Sequence, residues 1–180
     1  ITIFQSIKDT STPFHRDISE ILERIKNGTG NTKDLIKNIR SEKNKTERQE
    51  LKKQLPAICF SGKFTKRNDT SLVEHSGIIC LDFDGYQKKK DLLSAKQVFS
   101  ENNYVYAVFL SPSGNGLKVI VRIPQDEENH INYFNSLQTY FNSEYFDQTS
   151  KNISRVCYES FDPLININEN SLLWDKIEEP

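Results

Sequence analysis

Asp82 and Asp84 stand two residues apart at the end of the run Gly77-Ile78-Ile79-Cys80-Leu81-Asp82-Phe83-Asp84-Gly85. An apolar, β-branched run that closes on carboxylates and a glycine predicts a buried strand ending at a site. Side chains alternate along a strand, so both carboxylates point the same way, with Cα atoms roughly 6.5 to 7 Å apart. Two carboxylates aimed together repel unless a cation lies between them. Hard oxygen ligands of this kind suit Mg²⁺ or Mn²⁺. The competing reading is a pair of solvated aspartates capping a strand.

Three further features bear on the same chemistry. The loop Ser113-Gly114-Asn115-Gly116-Leu117-Lys118 has glycines that permit a tight turn with exposed N–H groups, suited to phosphate oxygens, and a lysine at the start of the next strand. It is not a Walker A loop, because the spacing before the lysine is wrong and Val119 stands where Ser or Thr is required. An ordinary hairpin turn has the same composition. Asp147 is a single carboxylate after an aromatic stretch, which by itself is more often a helix-end or turn aspartate than a ligand. Arg155 interrupts an apolar segment, where its guanidinium pairs with a carboxylate or clamps a triphosphate.

The elements that must position these groups follow from periodicity. Ile1 to Ile7 reads as a first strand. Ile18, Ile21, Leu22 and Ile25 mark the apolar face of a helix that Asn27-Gly28-Thr29-Gly30 ends. Two more helices are expected over Thr32–Ser41 and Thr46–Leu55, the latter stopped by Pro56, and then a short strand over Ala57–Phe60. Ser61 to Asn68 reads as a polar, basic connection to the central strand. A helix from Asp91 to Glu101 is expected to bury Leu92, Ala95, Val98 and Phe99. Strands follow over Tyr104–Leu110 and Leu117–Ile123, the second with Leu117, Val119, Val121 and Ile123 on one face. Ile131, Phe134, Leu137 and Phe141 mark a last helix, Ser154–Tyr158 a last strand, and the tail to Trp174 reads as irregular, with Trp174 an anchor on the core. Helices alternate with strands and hairpins, which predicts an α+β fold with a mixed or antiparallel sheet.

The 180 residues suffice for one substantial core in two lobes: a helical, basic lobe over 1–70 and a sheet-bearing lobe over 71–180. Mean hydropathy of −0.64 describes a polar globular chain. No apolar run reaches the length of a membrane span and no signal pattern opens the chain, so no membrane partner is expected. Cys59, Cys80 and Cys157 are odd in number and sit in apolar contexts, which predicts buried free thiols in a reducing, cytoplasmic setting. Charge is unevenly spread. Lys33 to Arg67 holds eleven Lys and Arg against four Asp and Glu, whereas Asp126 to Pro180 holds three against eleven. The basic segment suits phosphate contacts, although each lysine reads equally as part of a solvated helix.

Leu81-Asp82-Phe83-Asp84, then Ser113-Gly114-Asn115-Gly116-Leu117-Lys118, then Phe146-Asp147 resemble the three motifs of the archaeo-eukaryotic primase superfamily: a strand with Asp-x-Asp, a Ser-Gly-x-Gly-x-His turn, and a hydrophobic residue followed by Asp. The likeness is closest to the primase-polymerase-like N-terminal domain of virulence-associated E type replication proteins. Leu55 to Phe64 resembles the segment that precedes the Asp-x-Asp strand there, and Asn152 to Tyr158 through Phe161-Asp162-Pro163 also looks like that family. The resemblance covers Leu55 to Pro163. It implies a primase-like core with an RRM-like sheet and a template-directed nucleotidyltransferase of a mobile-element or phage replication protein. Asp82, Asp84 and Asp147 would hold two divalent ions, Mg²⁺ or Mn²⁺, for in-line transfer from an NTP or dNTP to a 3′-hydroxyl. Ser113, Gly114, Asn115, Gly116, Lys118 and Arg155 would contact the nucleotide. Single-stranded DNA template and a fused or associated helicase are the implied partners. Lys118 stands where the family has histidine; it keeps a cation for phosphate and loses imidazole's acceptor and planar geometry.

Two other classes compete. A primase-fold module that only binds nucleotide or single strands is favoured by Lys118 and disfavoured by three retained carboxylates. A haloacid-dehalogenase-like phosphatase is suggested by Asp82-Phe83-Asp84-Gly85. It is disfavoured by Tyr86 after the glycine and by the want of a later acidic pair.

Overall fold

The computed structural model describes residues 1–177. Glu178 and Glu179 of the acidic tail lie outside the described residues. The chain runs β1 (Thr2–Phe4), β2 (Phe14–His15), α1 (Ile18–Asn27), α2 (Thr32–Ser41), α3 (Lys45–Lys52), β3 (Ala57–Cys59), β4 (Gly62–Phe64), β5 (Leu72–His75) and β6 (Ile78–Phe83). It continues with α4 (Lys89–Ser100), β7 (Val105–Leu110), β8 (Leu117–Arg122), α5 (His130–Phe141), β9 (Cys157–Tyr158) and β10 (Asn166–Ile167). The fold is α+β.

The central sheet has the order β10-β7-β8-β6, and a smaller one β2-β1-β3-β9 lies on the N-terminal side. Every ladder among the described residues is antiparallel, so the parallel pairing of a mixed sheet is not seen there. The β6-α4-β7 crossover leaves a gap between two like-directed strands, and β8 fills it by pairing with both.

The two faces of the central sheet are apolar for different reasons. Ile79, Leu81 and Phe83 of β6 and Leu117, Val119 and Val121 of β8 meet Leu92 and Phe99 of α4 and Tyr133, Phe134 and Leu137 of α5. The opposite face presents Ile78 and Ile120 to Ile21, Leu22 and Ile25 of α1 and to Ile3 and Ile58 of the smaller sheet. A register shift between Val105 and Ala107 changes the parity of β7, so that Val105 and Val108 face the helices while Ala107 and Phe109 face α1. Asp82 and Asp84 share the α1-side face with Ile78 and Cys80. They stand where that face runs out of apolar cover.

The N-terminal segment differs in several places from its sequence reading. Gly62–Phe64 and Leu72–His75 form a hairpin, where a plain connection was expected. Gly62 permits it: a Cβ there would meet the Glu74 carbonyl at 2.4 Å. A division at residue 70 falls inside this hairpin, and β9 returns from the C-terminal part to pair with β3. α3 ends at Lys52, short of Leu55, and is capped at its start by Asn44, whose side chain accepts from the Thr46 and Glu47 N–H groups.

Other corrections concern burial and strand length. Val98 is 67% exposed and Ile131 is 46% exposed, because α4 and α5 each turn a narrower stripe to the sheet than the periodicity suggests. The strand predicted over Ser154–Tyr158 is limited to Cys157–Tyr158, and the tail contributes β10. Trp174 is buried as expected, its indole N–H donating to Ser136 Oγ at 3.2 Å. The three cysteines are free; Cys59 is buried, and Cys80 and Cys157 are only half-buried. No helix among the described residues is long and apolar enough to cross a membrane.

Candidate metal centre

β6 delivers Asp82 and Asp84 to one face, and the chain after α5 comes back beside the same strand to add Asp147. Phe146 is the hinge of that return. Its ring packs edge-on against Phe83 and against Phe134, both at 5.2 Å between centroids, which places the next residue at the strand end. Two backbone hydrogen bonds, Asp84 N–H to the Tyr145 carbonyl and Asp147 N–H to the Asp82 carbonyl, both at 2.8 Å, form an antiparallel bridge between Phe83 and Phe146 and fix the alignment. Each of the three aspartates offers an oxygen within 4.8 Å of the others. Asp82 is buried, Asp147 half-buried and Asp84 lies on the exposed rim.

The loop between β7 and β8 closes one side. Ser111 N–H donates to the Gly116 carbonyl and Gly114 N–H to the Ser111 carbonyl, both at 2.9 Å, a tight turn that needs Gly114 at φ 76°. Gly116 lies directly against the acidic group: a Cβ there would meet Asp84 Oδ1 at 2.2 Å and the Phe83 carbonyl at 2.9 Å. Ser111 Oγ is 3.1 Å from the same point, buried and without a hydrogen-bond partner. The hydroxyl and the Asp84 carboxylate therefore converge on a space that only glycine leaves free.

Cations surround the carboxylates. Lys118 pairs with Asp82 across β6 and β8, its Nζ 2.6 Å from Asp82 Oδ1. Burial works against the ammonium, but the charge and hydrogen bond of Asp82 work the other way and its pKa stands above the ordinary lysine value. Arg155 lies in the turn before β9, outside any strand, with its guanidinium 3.8 Å from Asp147 Oδ2. Desolvation by the protein packed around it pushes the Asp84 carboxyl up, and the charges of Asp82 and Asp147 add to this against those of Lys118 and Lys52. A carboxylate held in this state favours the arrival of a cation.

The donor set is three carboxylates and an unpartnered hydroxyl, all hard oxygens, and it fits Mg²⁺ or Mn²⁺ better than a soft metal. Of the loop residues named from sequence, Gly114 and Gly116 shape the site, and the Asn115 carbonyl accepts from Tyr86 N–H at 3.1 Å. Ser113 is half-buried beside them.

Three residues of the site escaped the sequence reading. Ser111 lies two positions before the motif serine and carries the orphan hydroxyl. Arg40 of α2 packs its side chain over Gly114 and donates to the Ser111 carbonyl at 3.1 Å and the Phe161 carbonyl at 2.9 Å. Lys52, at the end of α3, feels both Asp84 and Lys118, and burial together with Lys118 lowers its pKa. Both cations belong to the basic segment, but only the tertiary placement of Arg40 on the loop and of Lys52 near Asp84 distinguishes them from their solvated neighbours. Beyond Asp147 a cleft of about 410 Å³ opens between Arg155 and Arg67, with Asn152, Ser154 and Tyr158 in its walls.

The family described as BT4734-like, N-terminal domain, matches residues 50–165. The chain belongs to that family. Neither the curated proteins nor the solved structures contain a match.

Proposed function

We propose that this BT4734-like N-terminal domain is a metal-dependent, template-directed nucleotidyltransferase, a primase or primase-polymerase acting on single-stranded DNA with NTP or dNTP. The observation that carries the reading is the convergence of Asp82, Asp84 and Asp147 on one point from two separate segments, beside a glycine loop with an orphan hydroxyl. The element order supports it. β6-α4-β7-β8-α5 followed by the Phe146 bridge back to β6 follows the βαββαβ pattern of RRM-like sheets, with the last strand cut to a single pairing. A primase-like core, a mobile-element or phage context and a helicase partner belong to the same proposal.

Asp82, Asp84 and Asp147 would hold the divalent cation, which when bound neutralises the triphosphate and activates the attacking 3′-hydroxyl. The chain's own groups have distinct tasks. Arg155 and Arg67 line a cleft suited to polyphosphate, in which a planar guanidinium offers paired donors to phosphate oxygens. Arg40 holds the loop by two carbonyls, so that the backbone of Gly114 to Gly116 stays fixed when phosphates arrive. Lys52 brings the basic helices to the rim of the site, where a template backbone would meet positive charge.

The test is synthesis on single-stranded DNA with labelled nucleotides and Mg²⁺ or Mn²⁺, with and without primer, beside an Asp82→Ala/Asp84→Ala control. Product that vanishes in the control supports the reading, and the unprimed reaction separates primer synthesis from extension. The second reading, a catalytically weak module that binds nucleotide or single strands, is favoured by the engagement of Asp82 with Lys118. Tight binding of either ligand with no product in any reaction selects it.

A further inference from the structure

We infer that the Lys118 ammonium is a built-in cation that fills one of the two cation positions of the site, so that the centre takes a single divalent ion. The inference rests on the metal-dependent reading above and narrows it.

The geometry comes first. Lys118 Nζ is 2.6 Å from Asp82 Oδ1, and the two side chains are 10% and 11% exposed. They are direct cross-strand partners, the fifth of six pairs in the ladder between β6 and β8 and followed by the pair Phe83–Leu117, so neither backbone moves away without opening the end of the sheet. A buried pair at this distance resists separation, because parting it strands an uncompensated charge in a dry setting. A two-ion centre places its metals about 3.5 to 4 Å apart and needs a carboxylate that serves both. Asp82 is that carboxylate by position, and one of its oxygens is already taken.

The remaining donors suffice for one ion. They are the second oxygen of Asp82, Asp84, Asp147 and Ser111 Oγ, the last buried, unpartnered and beside Asp84. The three carboxylates carry three negative charges. Lys118 cancels one, and one divalent ion balances the other two. A second ion at Asp82 Oδ1 would have to displace the ammonium or sit against it. With Arg155 at 3.8 Å from Asp147 counted as well, one divalent ion already leaves the cluster net positive, and a second finds no charge to balance. Lysine is a fixed cation at neutral pH, so this half of the centre needs no loading.

The experiment counts Mn²⁺ on the whole chain by electron paramagnetic resonance, alone and with a non-hydrolysable deoxynucleoside triphosphate analogue. The wild type is expected to bind one Mn²⁺ per chain, with no spin-coupled two-ion signal in either state. Lys118→Met, which keeps the aliphatic stem, is expected to raise the count to two with the analogue present and to bring in the coupled signal. A coupled pair in the wild type overturns the inference and leaves the nucleotidyltransferase reading standing. No bound Mn²⁺ overturns both. A folded Lys118→Met variant that still takes only one ion removes the assignment from Lys118. The wild-type count needs no variant and decides the matter should Lys118→Met not fold.

Discussion

The backbone N–H of Asp147 donates to the carbonyl of Asp82 at 2.8 Å, so the third carboxylate is held by the strand that carries the first two. Its own Oδ1 accepts from Thr149 N–H at 2.9 Å and Thr149 Oγ at 2.7 Å. This leaves Oδ2 turned to Arg155.

Asp147→Asn is therefore expected to fold and to bind Mn²⁺ at least ~10-fold more weakly, since even groups that merely orient a ligand are worth 10–100-fold. Thr149→Val should cost less than Asp147→Asn. Calorimetric titration with Mn²⁺ checks both, and equal affinity in wild type and Asp147→Asn would remove Asp147 from the centre.

Gly116→Ala places a methyl 2.2 Å from Asp84 Oδ1 and 2.9 Å from the Phe83 carbonyl. Backbone cannot yield there without moving β6. The expected outcome is a loss of about 1–3 kcal/mol in a denaturant melt, together with weakened Mn²⁺ binding. Gly30→Ala meets nothing within 4 Å, although its φ of 50° carries some strain, and should leave Mn²⁺ binding unchanged.

Arg40→Lys is not conservative here. One guanidinium nitrogen spans the Ser111 and Phe161 carbonyls, and the side chain covers Gly114. An ammonium on a flexible stem cannot reproduce that cover. A loss of roughly 1.5–3 kcal/mol is expected from the charged hydrogen bonds, with faster amide exchange at Gly114 to Gly116. Unchanged exchange in the loop would sink the anchoring role.

His75 Nε2 and His130 Nδ1 lie 3.1 Å apart between β5 and α5, and His75 Nδ1 accepts from Gly77 N–H. Burial, and then the neighbouring His75, push His130 down to about 4, while Asp69 pulls the other way. Burial lowers His75 as well, against Asp126. The unfolded chain thus binds more protons than the folded one between about pH 6.5 and 4. Stability is complete above that window and falls as the pH drops through it, by roughly 3 kcal/mol for His130 alone. Melting temperatures at pH 7.5, 6 and 5 should decline in that order, and His130→Phe should flatten the profile.

Much of the frame was legible because it rests on local periodicity. The apolar stripe of α1, the bounds of α2 and the alternation of β8 are fixed by 3.6- and 2-residue repeats that neighbours along the chain supply. The same parity put Asp82 and Asp84 on one face. Where a second partner decides, the reading failed. Gly62–Phe64 has no apolar repeat long enough to mark a strand and becomes one by pairing with Leu72–His75. Val98 and Ile131 fit the helical periodicity, yet α4 and α5 turn a narrower stripe to the sheet and leave them exposed.

The sequence by itself determined that Asp82 and Asp84 share a strand face, since backbone geometry dictates this over a few residues. Tertiary structure alone decided what each of them meets. Sheet order made Lys118 the partner of Asp82, because β8 enters the gap between β6 and β7. Aromatic packing at Phe146 brought Asp147 back to β6. Helix packing set Arg40 on a loop 71 residues away in the chain. Such contacts depend on the burial of surfaces that lie far apart in the chain, and no local pattern encodes which surfaces will meet.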